Sequence, residues 1–169
     1  MEYVIDTKEY ETELNAIHFF MAEFLLNFGL TPKLDDYFYY NSDTGEVGYE
    51  LDFAGYSART QKENHNLIKS IQRQSPKIKL NLFVWQILHE IGHHFTLRNF
   101  TQEELIAVTK KVRRLEHNHA SNPYYKLPHE VAATAWAVEY ANTHQEEIKD
   151  FWKKIEPIAH ALEEKVANI

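Results

Sequence analysis

One uninterrupted run, Leu80 to Phe95, constrains this chain more than any other segment. Val84, Trp85, Ile87, Leu88 and Ile91 crowd it with apolar residues, and no proline interrupts it. That pattern predicts a helix that is apolar nearly all round, and such helices are buried. Yet the run carries His89, Glu90, His93 and His94. Burying polar groups without partners costs roughly 2–7 kcal/mol each. The histidines and the glutamate therefore need partners inside the fold, and a metal ion is one that satisfies them together.

The spacing sharpens that expectation. His89 and His93 are four residues apart, so on a helix their rings leave the same face one turn apart. Two imidazoles placed so can share one zinc ion at ordinary coordination distances. Glu90 projects about 100° around the helix from His89. It stands beside the ion without having to ligate it. A carboxylate there can take a proton from water that the metal has acidified and pass it to a leaving group. Within the same helix Gly92 costs about 1 kcal/mol of propensity relative to alanine, and its missing side chain would let another element approach closely. The competing reading of the segment is a polar stripe, or hydrogen-bonded histidines on a structural helix.

A catalytic zinc takes three protein ligands and a water, so a third ligand has to come from elsewhere. The chain has no cysteine, which excludes a thiolate site and a disulfide framework, but it has ten histidines. The metzincin continuation requires Gly and His just downstream, where this chain has Thr96 and Asn99. Glu103 and Glu104 fall in the first turn of the next helix, where capping accounts for them. His117 and His119 lie near a helix end, where solvated or dipole roles prevail. Glu130 is the better candidate. It opens a helix rich in small residues, namely Ala132, Ala133, Ala135, Ala137 and Ala141, which can pack tightly against another helix. The plain alternative for Glu130 is an acid placed favourably at a helix N-terminus.

His89-Glu90-Ile91-Gly92-His93, followed by Glu130-Val131-Ala132-Ala133-Thr134-Ala135-Trp136-Ala137, resembles the gluzincin metallopeptidases. The small ImmA/IrrE-like branch is the most similar. Its later helix carries a Glu-x-Glu-Ala-x-x-Phe-Ala-like segment, which Glu130, Ala133, Trp136 and Ala137 match with Trp for Phe and with Ala132 in place of the second acid. The resemblance covers residues 80–144. It implies a zinc peptidase of compact α+β fold with His89, His93 and Glu130 as ligands and Glu90 as base. It also implies an edge strand, for which 46–53 has the right place in the chain, that binds extended substrate by adding a strand. A Tyr or His commonly stabilises the oxyanion in such enzymes, and Tyr124, Tyr125, Tyr140 and His144 all remain open for that role. His94 can pair with Glu90 across one turn or face solvent, and the second is preferred.

The remaining sequence predicts a mostly helical single α+β domain spanning 1–169. A first helix covers 7–28, capped by Asp6 with Glu9 and stopped at Gly29, with Thr31-Pro32 beyond. Val47, Tyr49, Leu51 and Phe53 alternate with polar or small residues, and 41–45 is turn material. Residues 37–53 therefore read as an antiparallel hairpin packed beside the HExxH helix. For 57–76, a short amphipathic helix around Leu67, Ile68 and Ile71 and a mobile loop are equally compatible. Thr101 with Glu104 makes a capping box for a helix ending near Asn118. Pro128 fits the first turn of a helix over 128–143. Thr143 with Glu146 starts another, which Pro157 kinks or splits.

A formal charge of −7 argues against non-specific nucleic-acid binding. Neither a signal-peptide pattern nor an apolar run of bilayer length is evident, so the expected setting is cytoplasmic, without membrane contact. The leading expectation is a zinc metallopeptidase with one Zn2+ that acts on a peptide or protein substrate. The alternative is a non-catalytic regulatory or protein-binding module that retains a structural zinc.

Overall fold

A computed structural model describes residues 10–51, 58–116 and 126–167. Its elements run α1 (Glu11–Leu26), β1 (Thr31–Leu34), β2 (Tyr39–Asn41), β3 (Glu46–Tyr49), α2 (Ala58–Arg73), α3 (Leu82–Thr96), α4 (Gln102–Glu116), α5 (Pro128–Thr143) and α6 (Gln145–Ala167). A short 3-10 turn, Leu97–Asn99, follows α3. The fold is mostly helical with one small sheet, as the α+β expectation requires.

α1 ends as its sequence dictates. Gly29 takes φ +72°, and the Leu30 amide turns back to donate to the Leu25 carbonyl at 3.1 Å. Glycine adopts that left-handed conformation without steric cost. The chain then enters β1, which no alternation announced: three of its four residues are exposed. β1 lies parallel to β3, pairing Thr31 with Glu46 and Leu34 with Tyr49. β2 lies antiparallel on the other side of β3, pairing Tyr39 with Gly48 and Asn41 with Glu46. The hairpin is present, but the sheet is mixed rather than antiparallel, with order β1-β3-β2. β3 is consequently its central strand. This corrects the expectation that the strand at 46–53 offers an open edge, because both sides of β3 are already paired; residues 52–53 lie outside the described residues. Val47 and Tyr49 are buried, as the period-two pattern requires. Gly48 lies under the Tyr39 ring, which a side chain there would strike.

α2 settles the open reading of 57–76 in favour of a helix, with Leu67 and Ile71 turned into the core. α3 begins at Asn81, whose side chain accepts the Phe83 amide at 2.8 Å. Ile87, Leu88 and Ile91 are wholly buried, so the helix is sealed as its composition predicts. α4 starts with the expected capping box: the Glu104 amide donates to Thr101 Oγ1 at 3.1 Å, and the Thr101 amide donates to Glu104 Oε1 at 3.3 Å. α5 starts at Pro128.

The helix expected from Thr143 and Glu146 is present but starts at Gln145, with Glu146 in its first turn. Thr143 ends α5, and its hydroxyl donates back to the Glu139 carbonyl at 2.8 Å. α6 continues unsplit through Pro157, because Ile148, Phe151, Ile155, Ala159 and Leu162 give it one continuous buried face. Phe151 stacks on Phe24 of α1 with ring centroids 4.2 Å apart. The caps expected at Asp6 and Glu9 lie outside the described residues. No described helix is long and apolar enough to cross a membrane.

Candidate metal centre

The site forms where α3 and α5 cross, and Gly92 permits the crossing. A Cβ at Gly92 would collide with the Ala133 carbonyl oxygen and stand 3.0 Å from its carbonyl carbon and Cα. Backbone therefore meets backbone at that point. Ala133 and Ala137, both buried, continue the close face along α5. The alanine-rich composition of the second segment thus has a steric meaning. Trp136 closes the flank by stacking on Phe95 of α3 at 5.0 Å and 13°.

The close crossing brings His89, His93 and Glu130 together. One ligand atom from each lies within 4.8 Å of the other two, and all three residues are buried. His89 Nε2 is 2.6 Å from Glu130 Oε2, and His93 Nε2 is 3.2 Å from Glu130 Oε1. The two imidazoles sit 4.7 Å apart, edge to face, on consecutive turns of α3. Both present the same ring nitrogen to the same carboxylate. This is the donor arrangement that the four-residue spacing predicts, and Glu130 is the residue that completes it. Two imidazoles and one carboxylate suit a borderline-soft divalent ion.

Two more residues join the cluster that sequence spacing did not single out. Thr134, one turn beyond Glu130 and almost fully buried, places Oγ1 3.0 Å from His89 Nδ1. With an ion bound, an Nδ1–H that donates to this hydroxyl leaves Nε2 with its lone pair for that ion and fixes the ring. The i, i+4 relation to Glu130 was the available signal. His129, also buried, places Nε2 3.2 Å from Glu130 Oε1, and its ring lies 5.6 Å from that of His93. Its only sequence cue is adjacency to Glu130.

Glu130 is 2% exposed, a severe environment for a carboxylate. Burial pushes its carboxyl upward. Attraction to His89, with hydrogen bonds from His129, His89 and His93, outweighs burial and holds the group well below the usual carboxylate range. The cluster is therefore built to keep a negative charge at its centre.

Glu90 follows His89 on α3 and is half-buried where the three donor residues are buried. It retains partial access to solvent. His94 is half-buried rather than facing solvent as preferred, and its Nδ1 lies 2.8 Å from the Tyr40 hydroxyl on β2. Burial, then the charge of Arg98, lowers its tendency to protonate. This contact ties the sheet to the C-terminal end of α3.

Tyr140 and His144 stack on each other at 4.1 Å, and the Tyr140 hydroxyl donates to Glu147 at 2.9 Å. Ten residues separate Tyr140 from Glu130, a rise of ~15 Å along one helix. The described geometry commits both groups elsewhere. Tyr124, Tyr125, His117 and His119 lie outside the described residues.

No protein-family model, curated protein or solved structure matches the chain. The case for a metal centre therefore rests on the sequence pattern and on the geometry of α3 and α5.

Proposed function

We propose that this chain is a zinc-dependent metallopeptidase in which His89, His93 and Glu130 hold one Zn2+ and Glu90 is the catalytic base. The observation that carries the reading is the mutual approach of three buried donors, two of them from an HExxH helix, within 4.8 Å. The gluzincin-like pattern of the two segments supports the same reading. A bound zinc supplies Lewis acidity, which lowers the pKa of a coordinated water to about 7.

The chain's own groups do the rest. Thr134 orients His89, and Gly92 sets the distance between the two helices that share the site. Glu90 accepts a proton from the attacking water and delivers it to the departing amine, so one carboxylate serves both halves of the hydrolysis. A purely structural zinc has no use for a base beside His89. The substrate class is a peptide or protein segment.

Glu90→Gln tests the assignment. The variant keeps the size and hydrogen-bonding capacity of the side chain but cannot accept the proton. The expected result is loss of peptide hydrolysis by at least ~100-fold, the low end of the usual range for acid–base groups, with zinc content and melting temperature unchanged. Undiminished turnover in that variant, or no turnover in the zinc-loaded wild type across a diverse peptide library, would overturn it.

A further inference from the structure

Three imidazoles surround one carboxylate, but they do not surround it equally. His89 Nε2 approaches Oε2 at 2.6 Å, whereas His93 Nε2 and His129 Nε2 both approach Oε1 at 3.2 Å. The donor atoms mutually within 4.8 Å are those of His89, His93 and Glu130, and His129 is not among them. His129 therefore touches the carboxylate from outside the set that can share an ion. From that position His129 can donate Nε2–H to a carboxylate oxygen.

Resting on the metal-site reading above, we propose that His129 is a positioning residue for the metal centre: it holds Glu130 through Oε1 so that the carboxylate offers Oε2 to the ion. Several features agree on this role. His129 precedes Glu130 in the first turn of α5, where Pro128 fixes the backbone entry. Its ring is buried against His93, so it has little freedom to turn away. A carboxylate held by one oxygen keeps its orientation before an ion arrives. That orientation reduces the ordering cost of binding, and outer partners of this kind typically contribute ~10–100-fold in metal affinity. Because His129 stays outside the ion's reach, the site keeps three protein ligands and one position for water, the arrangement of catalytic rather than structural zinc.

The test compares wild type, His129→Phe and His129→Gln by competition of Zn2+ against a chromophoric chelator, by visible absorption of the Co2+-loaded proteins, and by melting of the metal-free proteins. Phenylalanine keeps the ring volume and removes the donor. Glutamine places an amide N–H close to where the imidazole Nε2 stands. Expected are a ~10–100-fold weaker Zn2+ affinity for His129→Phe, recovery to within a few-fold for His129→Gln, and Co2+ bands at saturation that match the wild type in both. Should His129→Phe melt far below the wild type, the Gln variant alone decides, with near-wild-type affinity required. Equal affinity for His129→Phe and wild type would overturn the proposal, as a packing role predicts. Co2+ bands altered in the manner of His93→Ala would also overturn it, by making His129 a ligand. A wild type that binds neither ion would instead remove the metal-site reading itself.

Discussion

Gly92→Ala is the most informative single methyl group that can be added to this protein. Helix propensity alone predicts stabilisation by about 1 kcal/mol, since Gly92 lies inside α3. The structure predicts the reverse. The new Cβ would overlap the Ala133 carbonyl oxygen and stand 3.0 Å from two further backbone atoms, where ordinary contact begins at 3.4 Å. Nothing at that point is a flexible side-chain end, so α3 and α5 must part by on the order of 1 Å, the scale at which close-packed contacts lose much of their attraction. Overpacking of this kind costs about 1–3 kcal/mol. With the propensity gain of about 1 kcal/mol subtracted, the net loss is ~0–2 kcal/mol, a fall of up to ~8 °C in melting temperature for a chain of this length. The same displacement separates Glu130 from His89 and His93, so zinc affinity falls together with stability. Thermal melts with and without zinc, together with chelator competition, read both effects. A Gly92→Ala protein that melts higher than the wild type and binds zinc equally well would refute the backbone-to-backbone crossing and the site built on it.

Other perturbations probe the surroundings of the carboxylate. Thr134→Val keeps the shape of a buried residue but removes the hydroxyl beside His89 Nδ1, and zinc affinity should fall ~10–100-fold while Thr134→Ser retains it; equal binding by Val and wild type in a chelator titration contradicts the orienting role. The lowered carboxyl of Glu130 gives a pH signature in the chelator-treated protein. Its folded-state pKa lies below the ordinary 4.5, so its contribution is present above about pH 4.5 and is lost as pH falls through the lower folded value. Denaturant melts should show a shallower acid slope in that window for Glu130→Gln, whereas parallel slopes would show that the carboxylate is not stabilised by its histidines.

The sequence exposed the parts of this molecule whose causes are local. The apolar run around His89 made α3, Pro128 opened α5, and Thr101 with Glu104 capped α4. Gly92 announced a close approach, though not its partner, Ala133. What escaped notice depends on contacts between distant residues. β1 is four residues long, contains Pro32 and is mostly exposed, so it shows no alternation. It becomes a strand because β3 offers it a parallel edge, and that same pairing turns β3 into a central strand. His94 read as solvent-facing because its partner Tyr40 is 54 residues away. Pro157 read as a kink or a split, and the helix is not split, because a local rule cannot weigh the loss of one hydrogen bond against the continuous buried face of α6. In the candidate site, the two histidines were legible from a four-residue spacing and Glu130 from its alanine-rich helix. Thr134 touches the His89 ring and His129 touches the Glu130 carboxylate, contacts made across the helix crossing or beside the carboxylate that the HExxH spacing does not reach.

The central claim concerns one ion held between two helices, and diffraction tests it most directly. Crystals grown with one equivalent of Zn2+, measured on both sides of the zinc absorption edge, should show a single strong anomalous peak about 2.0–2.2 Å from His89 Nε2, His93 Nε2 and a Glu130 oxygen, with a fourth position open beside Glu90. A peak bound elsewhere on the chain, or none in crystals whose α3 and α5 cross as described, would contradict the account.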